Sequence, residues 1–600
     1  MKKVLIAMLL LVSLLVTMTA CNNGAAETTS AEQEQKAAAK KEVTVEFNSK
    51  TGVVDAEKYK GRTDIEVVII PEGAKTINTG TFEGCINLKV VKFSSTMQRI
   101  GEGAFKNCVS LKELHIAGKL RNVSNDAFEN CPVEYVKFAE DMEVIEGAIK
   151  LNKFTKLKKV DFGAKVTKIA SGMFANCKYL ETITLPATLT DLGNSAFENC
   201  YSLKTVIIPE GLEKLSTSVF AGCKSLETIA LPASVDSIGD QAFMNCTALK
   251  SITLSTAVDE LGNSVFKGCT ALESASIPGV TKMGNDVFKN CSSLKTVGSL
   301  ANVTEIGSEC FAGCISLETM DVSGLTAIPA RLFYNCSALA SVTMNENLTA
   351  IGDEAFRNTA ILTFTIPASV TDIGLATFQG TALSEIEIPE GVLSIGDYAF
   401  KDCELLANVS FPESLTNIGM YAFYNTALTE VTIPTNVTEV KTNTFAWCKD
   451  LTTVNLNNAT KIGNDAFKSC PVLANVDLGA VTEIGAFAFA RCASLTAIDL
   501  SGVVTIRNDA FHGCANLAQI TVTEALKYIE DSAFFAVATT EGVELTVVGG
   551  DTTAVELYGI LNGAIDGKIT KAANCQSRPN YDDIYQGLVD WSTDYNTPAN

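Results

Sequence analysis

Histidine occurs only twice in 600 residues, as His115 and His512, and tryptophan only twice, as Trp447 and Trp591. Two histidines cannot supply the imidazole-rich ligand sets of zinc sites, and the base of a nucleophilic triad would have to be one of the two. Neither stands in a signature. His115 falls at an outward strand position and His512 directly follows a phenylalanine, so both read as surface groups. Walker loops, H-E-x-x-H and calcium-binding nonapeptide repeats are all missing. No catalytic residue, metal ligand or cofactor site is assigned, and the chain is read as non-enzymatic. Positive charge is also scarce, with 47 Lys and Arg against 68 Asp and Glu, a formal net charge of −21 and no basic stripe. That balance disfavours nucleic acid and bare anionic lipid as partners. With 14 prolines, 19% charged and 47% hydrophobic residues, the composition is that of a folded chain.

One long apolar run stands out. Lys2 and Lys3 precede "VLIAMLLLVSLLV", which ends in "TMTAC" at Cys21. A charged start, a short apolar stretch and small residues make residues 1–20 an export signal, too short to remain as a membrane helix. The segment resembles a bacterial lipoprotein signal, with Thr19 and Ala20 in the small positions, Met18 where leucine is usual, and Cys21 as the residue that would receive diacylglycerol. A plain secretion signal with a coincidental cysteine is the alternative. Residues 21–41, polar and alanine-rich, read as a flexible linker.

The rest repeats itself. "LGNSAFENCYSLKTVIIP", "IGDQAFMNCTALKSITL" and "IGDYAFKDCELLANVSFP" are three copies of one line, and its phenylalanine recurs from Phe82 to Phe534 in steps of 22 or 23 residues. One double step, Phe128 to Phe174, contains an irregular unit around Phe154, which makes about 21 coils. Each unit reads as a short strand, such as "LKTVIIP" with Leu203, Val206 and Ile208 inward and Pro209 closing it, a second extended piece, and a one-turn helix carrying the Ala-Phe pair. Stacked at about 4.8 Å, such coils form a repeat solenoid on the order of 100 Å long.

Three columns have chemical meaning. The residue two after the phenylalanine is Asn or Gly in fifteen units, including Gly84, Asn107, Gly222, Asn245 and Asn425. These residues enter the left-handed backbone region cheaply, so the column reads as the stop of the small helix. The phenylalanines read as a buried aromatic spine, since that many exposed rings would aggregate. Sixteen of the 19 cysteines lie three residues after the phenylalanine, with Thr359, Thr381 and Thr426 in the same column. The column therefore reads as buried free thiols in a place that wants a small, weakly polar side chain, with disulfides between neighbouring coils as the alternative. Cys310 and Cys575 fall outside it.

The pattern I-G-x-x-A-F-x-x-C-x-x-L-x-x-V-x-I-P closely resembles the BspA-type, or treponemal, leucine-rich repeat of bacterial surface proteins. The resemblance implies a right-handed leucine-rich solenoid displayed on the cell surface, similar to adhesins that bind host matrix proteins or other bacteria. The chain divides into the signal at 1–20, the linker at 21–41, an N-terminal cap at 42–63, the leucine-rich repeat solenoid at 64–540 and a C-terminal cap and tail at 541–600. The expected role is that of a membrane-anchored lipoprotein with a protein partner, or else of an envelope spacer without a specific ligand. Outward strand positions vary freely through Lys92, His115, Thr184, Ile207, Ala230, Thr253, Ser276 and Asp321, which argues against a repetitive ligand and for a macromolecule engaged over a few coils. Trp447 is a candidate anchor or a lid over its own turn. Glu72, Glu210 and Glu390, in "IPEG" turns, read as solvated carboxylates.

Overall fold

The computed structural model describes residues 42–547, apart from 119, 524, 531, 536 and 538–543. The signal at 1–20, Cys21, the linker 21–41, Cys575, Trp591 and most of 541–600 lie outside the described residues. Within them the chain winds through about 21 turns of a β-solenoid with almost no helix.

Alternation of apolar and polar residues makes the first ladder. In Thr205–Ile207, Val206 points into the core while Thr205 and Ile207 face out, and the strand lies parallel to Thr182–Thr184 with Thr182 opposite Thr205. Glu42–Thr44, Val67–Ile69, Val90–Lys92, Glu113–Ile116, Tyr135–Phe138 and Lys159–Asp161 form one six-stranded sheet of this ladder. A second ladder of two-residue strands runs beside it, for example Lys214–Leu215 against Ser237–Ile238. Its first strands, Phe47–Asn48 and Val53–Val54, pair antiparallel. Tyr59 then takes the first place in the aromatic column, 5.3 Å from Phe82. At the other end Glu544–Val547 pairs parallel with Gln519–Val522, so the stretch read as a C-terminal cap contributes a further strand.

The one-turn helix expected around Ala-Phe is instead a string of tight turns that builds a third ladder. Ser195, Phe197 and Asn199 donate their N–H groups to Thr217, Val219 and Ala221 of the next coil at 2.9, 2.9 and 2.7 Å. Between them Ala196, Glu198 and Cys200 donate to Gly193, Ser195 and Phe197 of their own coil at 3.3, 3.2 and 3.2 Å. A helix would aim every N–H along its own axis and leave nothing for the neighbouring coil. Left-handed residues at two places make the alternation possible. One is the anticipated Asn/Gly column, positive in φ at every described position, including Asp402, Trp447, Ser469 and Arg491. The other lies two residues before the phenylalanine and holds Ser195, Gln241, Arg331, Glu354, Tyr398 and Phe487 at φ between 54° and 60°.

The phenylalanine spine is buried and stacked. Phe220, Phe243 and Phe266 follow one another at 5.8 and 5.5 Å with planes within 16°. Phe93, Phe162 and Phe411, from the ends of first-ladder strands, meet spine rings edge-on. The spine breaks once. In the irregular coil Leu151 occupies the phenylalanine place, since it is the Leu151 carbonyl that faces Cys177 Sγ, and Phe154 stands edge-on to Phe128 at 82°.

Candidate binding surfaces

The described cysteines form no site. All 17 described cysteines are free, and every one except Cys131 is buried. Their thiols are occupied: Cys223, Cys246 and Cys269 donate to the carbonyl oxygens of Phe197, Phe220 and Phe243, one coil back, at 3.2, 3.2 and 3.1 Å. Burial pushes the Cys200, Cys269 and Cys336 thiols up to about 12, so they carry no nucleophilic thiolate at neutral pH. Cys310, outside the column, is also buried and donates to Gly284 O at 2.9 Å. Among the described residues no group of three or more His, Cys, Asp or Glu side chains could hold a metal ion.

The two histidines stand far apart in the array, each beside a carboxylate. His115 Nε2 lies 2.5 Å from Glu113 Oε1 on the outward face of the first ladder. On the same face Tyr135 donates to Asp161 at 2.6 Å, Lys159 reaches the same carboxylate at 2.9 Å, and burial and that carboxylate push the Tyr135 hydroxyl up to about 12. His512 Nδ1 is 3.2 Å from Asp509, with its ring stacked on Phe535 at 5.3 Å. Of the turn carboxylates, Glu72 accepts from Ser95 N at 2.9 Å and from Ser95 Oγ at 2.8 Å, which holds it below the usual carboxylate range, and Glu390 accepts from Glu413 N at 3.2 Å. These exposed groups tie one turn to the next.

A cleft of about 490 Å³ opens beside the irregular coil, floored by Ile116, Phe138 and Ile149 and rimmed by Lys75, Arg121 and Glu143. Its lining sets Lys75 and Arg121 against Asp141, Glu143 and Glu146, so a charged ligand meets both signs with only a slight negative excess.

The third ladder carries a more distinctive patch. Trp447 occupies the Asn/Gly column at φ 65° and is 42% exposed. The Tyr398 and Tyr421 rings stack at 5.1 Å, Tyr424 lies 5.6 Å from Tyr421, and Met420 is exposed. Phe487, two coils beyond Trp447, sits beneath Lys468 Nζ at 5.2 Å. Lys468 also reaches Asp465 at 2.8 Å, yet burial still pushes that carboxyl above its usual range. Bulky residues avoid left-handed backbone, at roughly 1–2 kcal/mol each. Tyr398, Tyr421, Trp447 and Phe487 all adopt it here, Trp447 exposed and the other three half-buried. Sequence reading singled out Trp447 alone, because the tyrosines fall at a position with no pattern of its own.

Every outward strand position named from the sequence is exposed or half-buried, and the apolar Ile207 is 66% exposed. A column of charges flanks them: Glu181 pairs with Lys204 at 2.9 Å, Glu227 with Lys250 at 2.7 Å and Glu273 with Lys295 at 3.0 Å.

A family model described as BspA type leucine rich repeat region, in six copies, matches residues 39–149, 149–273, 260–384, 371–480 and 457–547. No curated protein matches the chain. Among solved structures it is similar to a leucine-rich repeat protein from Bacteroides ovatus ATCC 8483, with 23% identity and a TM-score of 0.44 over 70% of this chain and 97% of that one. It is similar also to a leucine rich cell surface protein from Faecalibacterium prausnitzii A2-165, with 25% identity and a TM-score of 0.29 over 67% of this chain and 87% of that one. A leucine-rich repeat protein from Eubacterium ventriosum ATCC 27560 shares 21% identity at a TM-score of 0.32, over 50% of this chain and 84% of that one.

Proposed function

The chain belongs to the BspA-type leucine-rich repeat family, and from that premise we propose that it is a non-enzymatic, adhesin-like lipoprotein that presents its solenoid at the bacterial cell surface for binding to a protein partner. The partner class is a host matrix protein or a surface protein of another bacterium. The observation that carries this reading is the Tyr398, Tyr421, Tyr424 and Trp447 patch. Trp447 is held in a disfavoured backbone region yet left exposed, half-buried Tyr398 and Tyr421 share that conformation, and such rings are the usual anchors of protein interfaces. A net charge of −21 also favours partners with basic surfaces.

Export and attachment rest on the signal ahead of Cys21. Diacylglycerol on that cysteine would hold the solenoid at the membrane, and the polar stretch to residue 41 would let it stand clear. Replacing Cys21 by alanine is expected to move the protein from the membrane fraction to the medium. Unchanged membrane retention would mean that the anchor is something else.

The test of the binding role is capture of the soluble solenoid by immobilised matrix proteins and by envelope proteins of other bacteria. Saturable capture by one of them, reduced at least tenfold in a Tyr421→Ser, Trp447→Asn double variant of unchanged unfolding midpoint, supports the proposal. Absence of saturable capture, or capture indifferent to that variant, would leave the envelope-spacer reading in its place.

A further inference from the structure

The outward face of the first ladder carries an ordered feature beside the variable one. The first outward residue of the first ladder, from Thr182 through Thr205, Thr228, Ser251 and Ser274 to Thr363, is Ser or Thr in nine successive coils; all nine are exposed and seven of them lie in strands. Where the strands pair, these residues lie directly opposite one another: Thr182 with Thr205, Ser251 with Ser274, Ser274 with Thr296 and Thr319 with Ser341. The hydroxyls therefore form a row with about one group every 4.8 Å, roughly 40 Å long. None of the nine hydroxyls takes part in a side-chain hydrogen bond among the described residues.

The residue two positions further on follows no rule, as Thr184, Ile207, Ala230, Ser276 and Asp321 show, which on that column counts against a repetitive ligand. That variation now counts the other way. The two columns belong to the same coils, so recent copying of repeats cannot keep one constant while the other drifts. Folding does not demand it either, because the same outward place holds Glu113, Tyr135 and Lys159 before the row and Glu385, Asn408 and Glu430 after it.

We propose that this row is a binding site for an extended, uncharged polysaccharide laid along the solenoid axis. Each hydroxyl offers one donor and two acceptors to a ligand whose own surface is hydroxyls, and β-branched threonine holds its Oγ1 with little rotamer freedom. Three of the four flanking glutamates pair with lysines, and Glu318 leaves only a slight negative excess beside the row on a protein of net charge −21. An anionic polymer is repelled by that total, and a protein partner finds no aromatic or arginine anchor on the row. An ice lattice needs regularity in two directions, which the varied second column breaks, whereas one polymer chain needs a single row. Weak contacts repeated along nine coils add up to useful retention.

The experiment is retention of the soluble solenoid on insoluble uncharged glucans and mannans, with an anionic galacturonan as control. The parent is compared with a triple variant, Thr205→Ala, Ser251→Ala, Thr296→Ala, and with a control, Thr184→Ala, Thr253→Ala. All five positions are exposed, so unfolding midpoints should match. Saturable retention on a neutral polymer, lowered at least tenfold in the triple variant and less than twofold in the control, is the expected result. No retention on any neutral polymer, retention on the galacturonan alone, or equal loss in both variants would overturn it. The Tyr421→Ser, Trp447→Asn variant lies on another face and should bind the glycan as the parent does, which keeps this test separate from that of the protein-binding role.

Discussion

The thiol of Cys246 donates to the carbonyl oxygen of Phe220, one coil back, at 3.2 Å. That oxygen already accepts the N–H of Cys223 from its own turn at 3.1 Å, so a spine carbonyl followed by a cysteine-bearing coil is shared between two coils. Threonine in the same column behaves differently. Thr359 and Thr426 turn their hydroxyls onto Phe356 and Phe423 of their own coil, at 2.9 and 3.0 Å. The column therefore asks for more than a small polar group: the longer C–S bond lets cysteine reach the carbonyl one coil back, whereas Thr381 and Thr426 meet a neighbouring coil only at Cys403 Sγ and Cys448 Sγ, both at 3.2 Å.

Cys246→Ala should lower stability by about 1–2 kcal/mol, from one lost weak hydrogen bond and a cavity of one sulfur atom. Cys246→Thr should fold with its hydroxyl on Phe243 O, as Thr359 does with Phe356. Urea unfolding of a shortened array centred on this coil reads the first value, and a midpoint indistinguishable from the parent would show that the thiol contributes no stitch.

Phe243→Ala removes a fully buried ring that stacks on Phe220 and Phe266 at 5.8 and 5.5 Å. The expected loss is about 3–5 kcal/mol, confined to neighbouring coils because each unit packs only on its neighbours. Hydrogen exchange should show the loss as faster opening around residues 220–266, and uniform protection along the array would contradict the stacked spine.

These two sites mark how far the sequence could be read. Phe243 and Asn245 were legible because their physics selects residue types: only apolar bulk fills the spine, and Asn or Gly suits a left-handed residue. The second left-handed column was hidden, since Ser195, Gln241, Arg331 and Tyr398 share no chemistry. Hydrogen bonds to the next coil, such as Gln241 N to Asn263 O at 2.8 Å, impose that conformation whatever the side chain. The same bonds replaced the expected helix by turns. Leu151 in the place of a spine phenylalanine was likewise unreadable, because Phe154 three residues on offered a better-looking candidate. The hydroxyl row could have been found by reading Thr182, Thr205 and Thr228 as a column.

Alkali should find the thiols. In the unfolded chain a thiol titrates near 8.5, whereas burial pushes Cys200, Cys269 and Cys336 up to about 12 in the fold. A raised folded value means that the stabilisation is complete below about pH 8.5 and declines as pH rises toward 12, each thiol removing ~1.4 kcal/mol per pH unit in that window. The urea midpoint should thus hold from pH 7 to 8 and fall steeply above 9. At pH 8 a thiol reagent should modify half-buried Cys131 first among the described cysteines. Rapid labelling of the whole column in folded protein would contradict both expectations.

Alternation of Asn and Gly in the stop column yields the sharpest prediction. A Cβ on Gly268 would lie 2.2 Å from Asn245 Oδ1, and one on Gly222 would lie 2.3 Å from Asn199 Oδ1, so the glycine makes room for the asparagine of the coil before it. In two of the three places where asparagine follows asparagine the amides pair: Asn130 Nδ2 donates to Asn107 Oδ1 at 2.8 Å, and Asn358 Nδ2 to Asn335 Oδ1 at 2.8 Å. Gly268 has φ +73°, a region alanine enters poorly and asparagine more readily. Gly268→Ala should therefore cost about 1–3 kcal/mol, while the larger Gly268→Asn should cost under about 1 kcal/mol because its amide can pair with Asn245. In an Asn245→Gly background the order should tighten, alanine losing its clash and asparagine its partner, a coupling that a double-mutant cycle measures directly. Alanine tolerated better than asparagine in the parent background would show that side-chain volume, and not the amide ladder, governs this column.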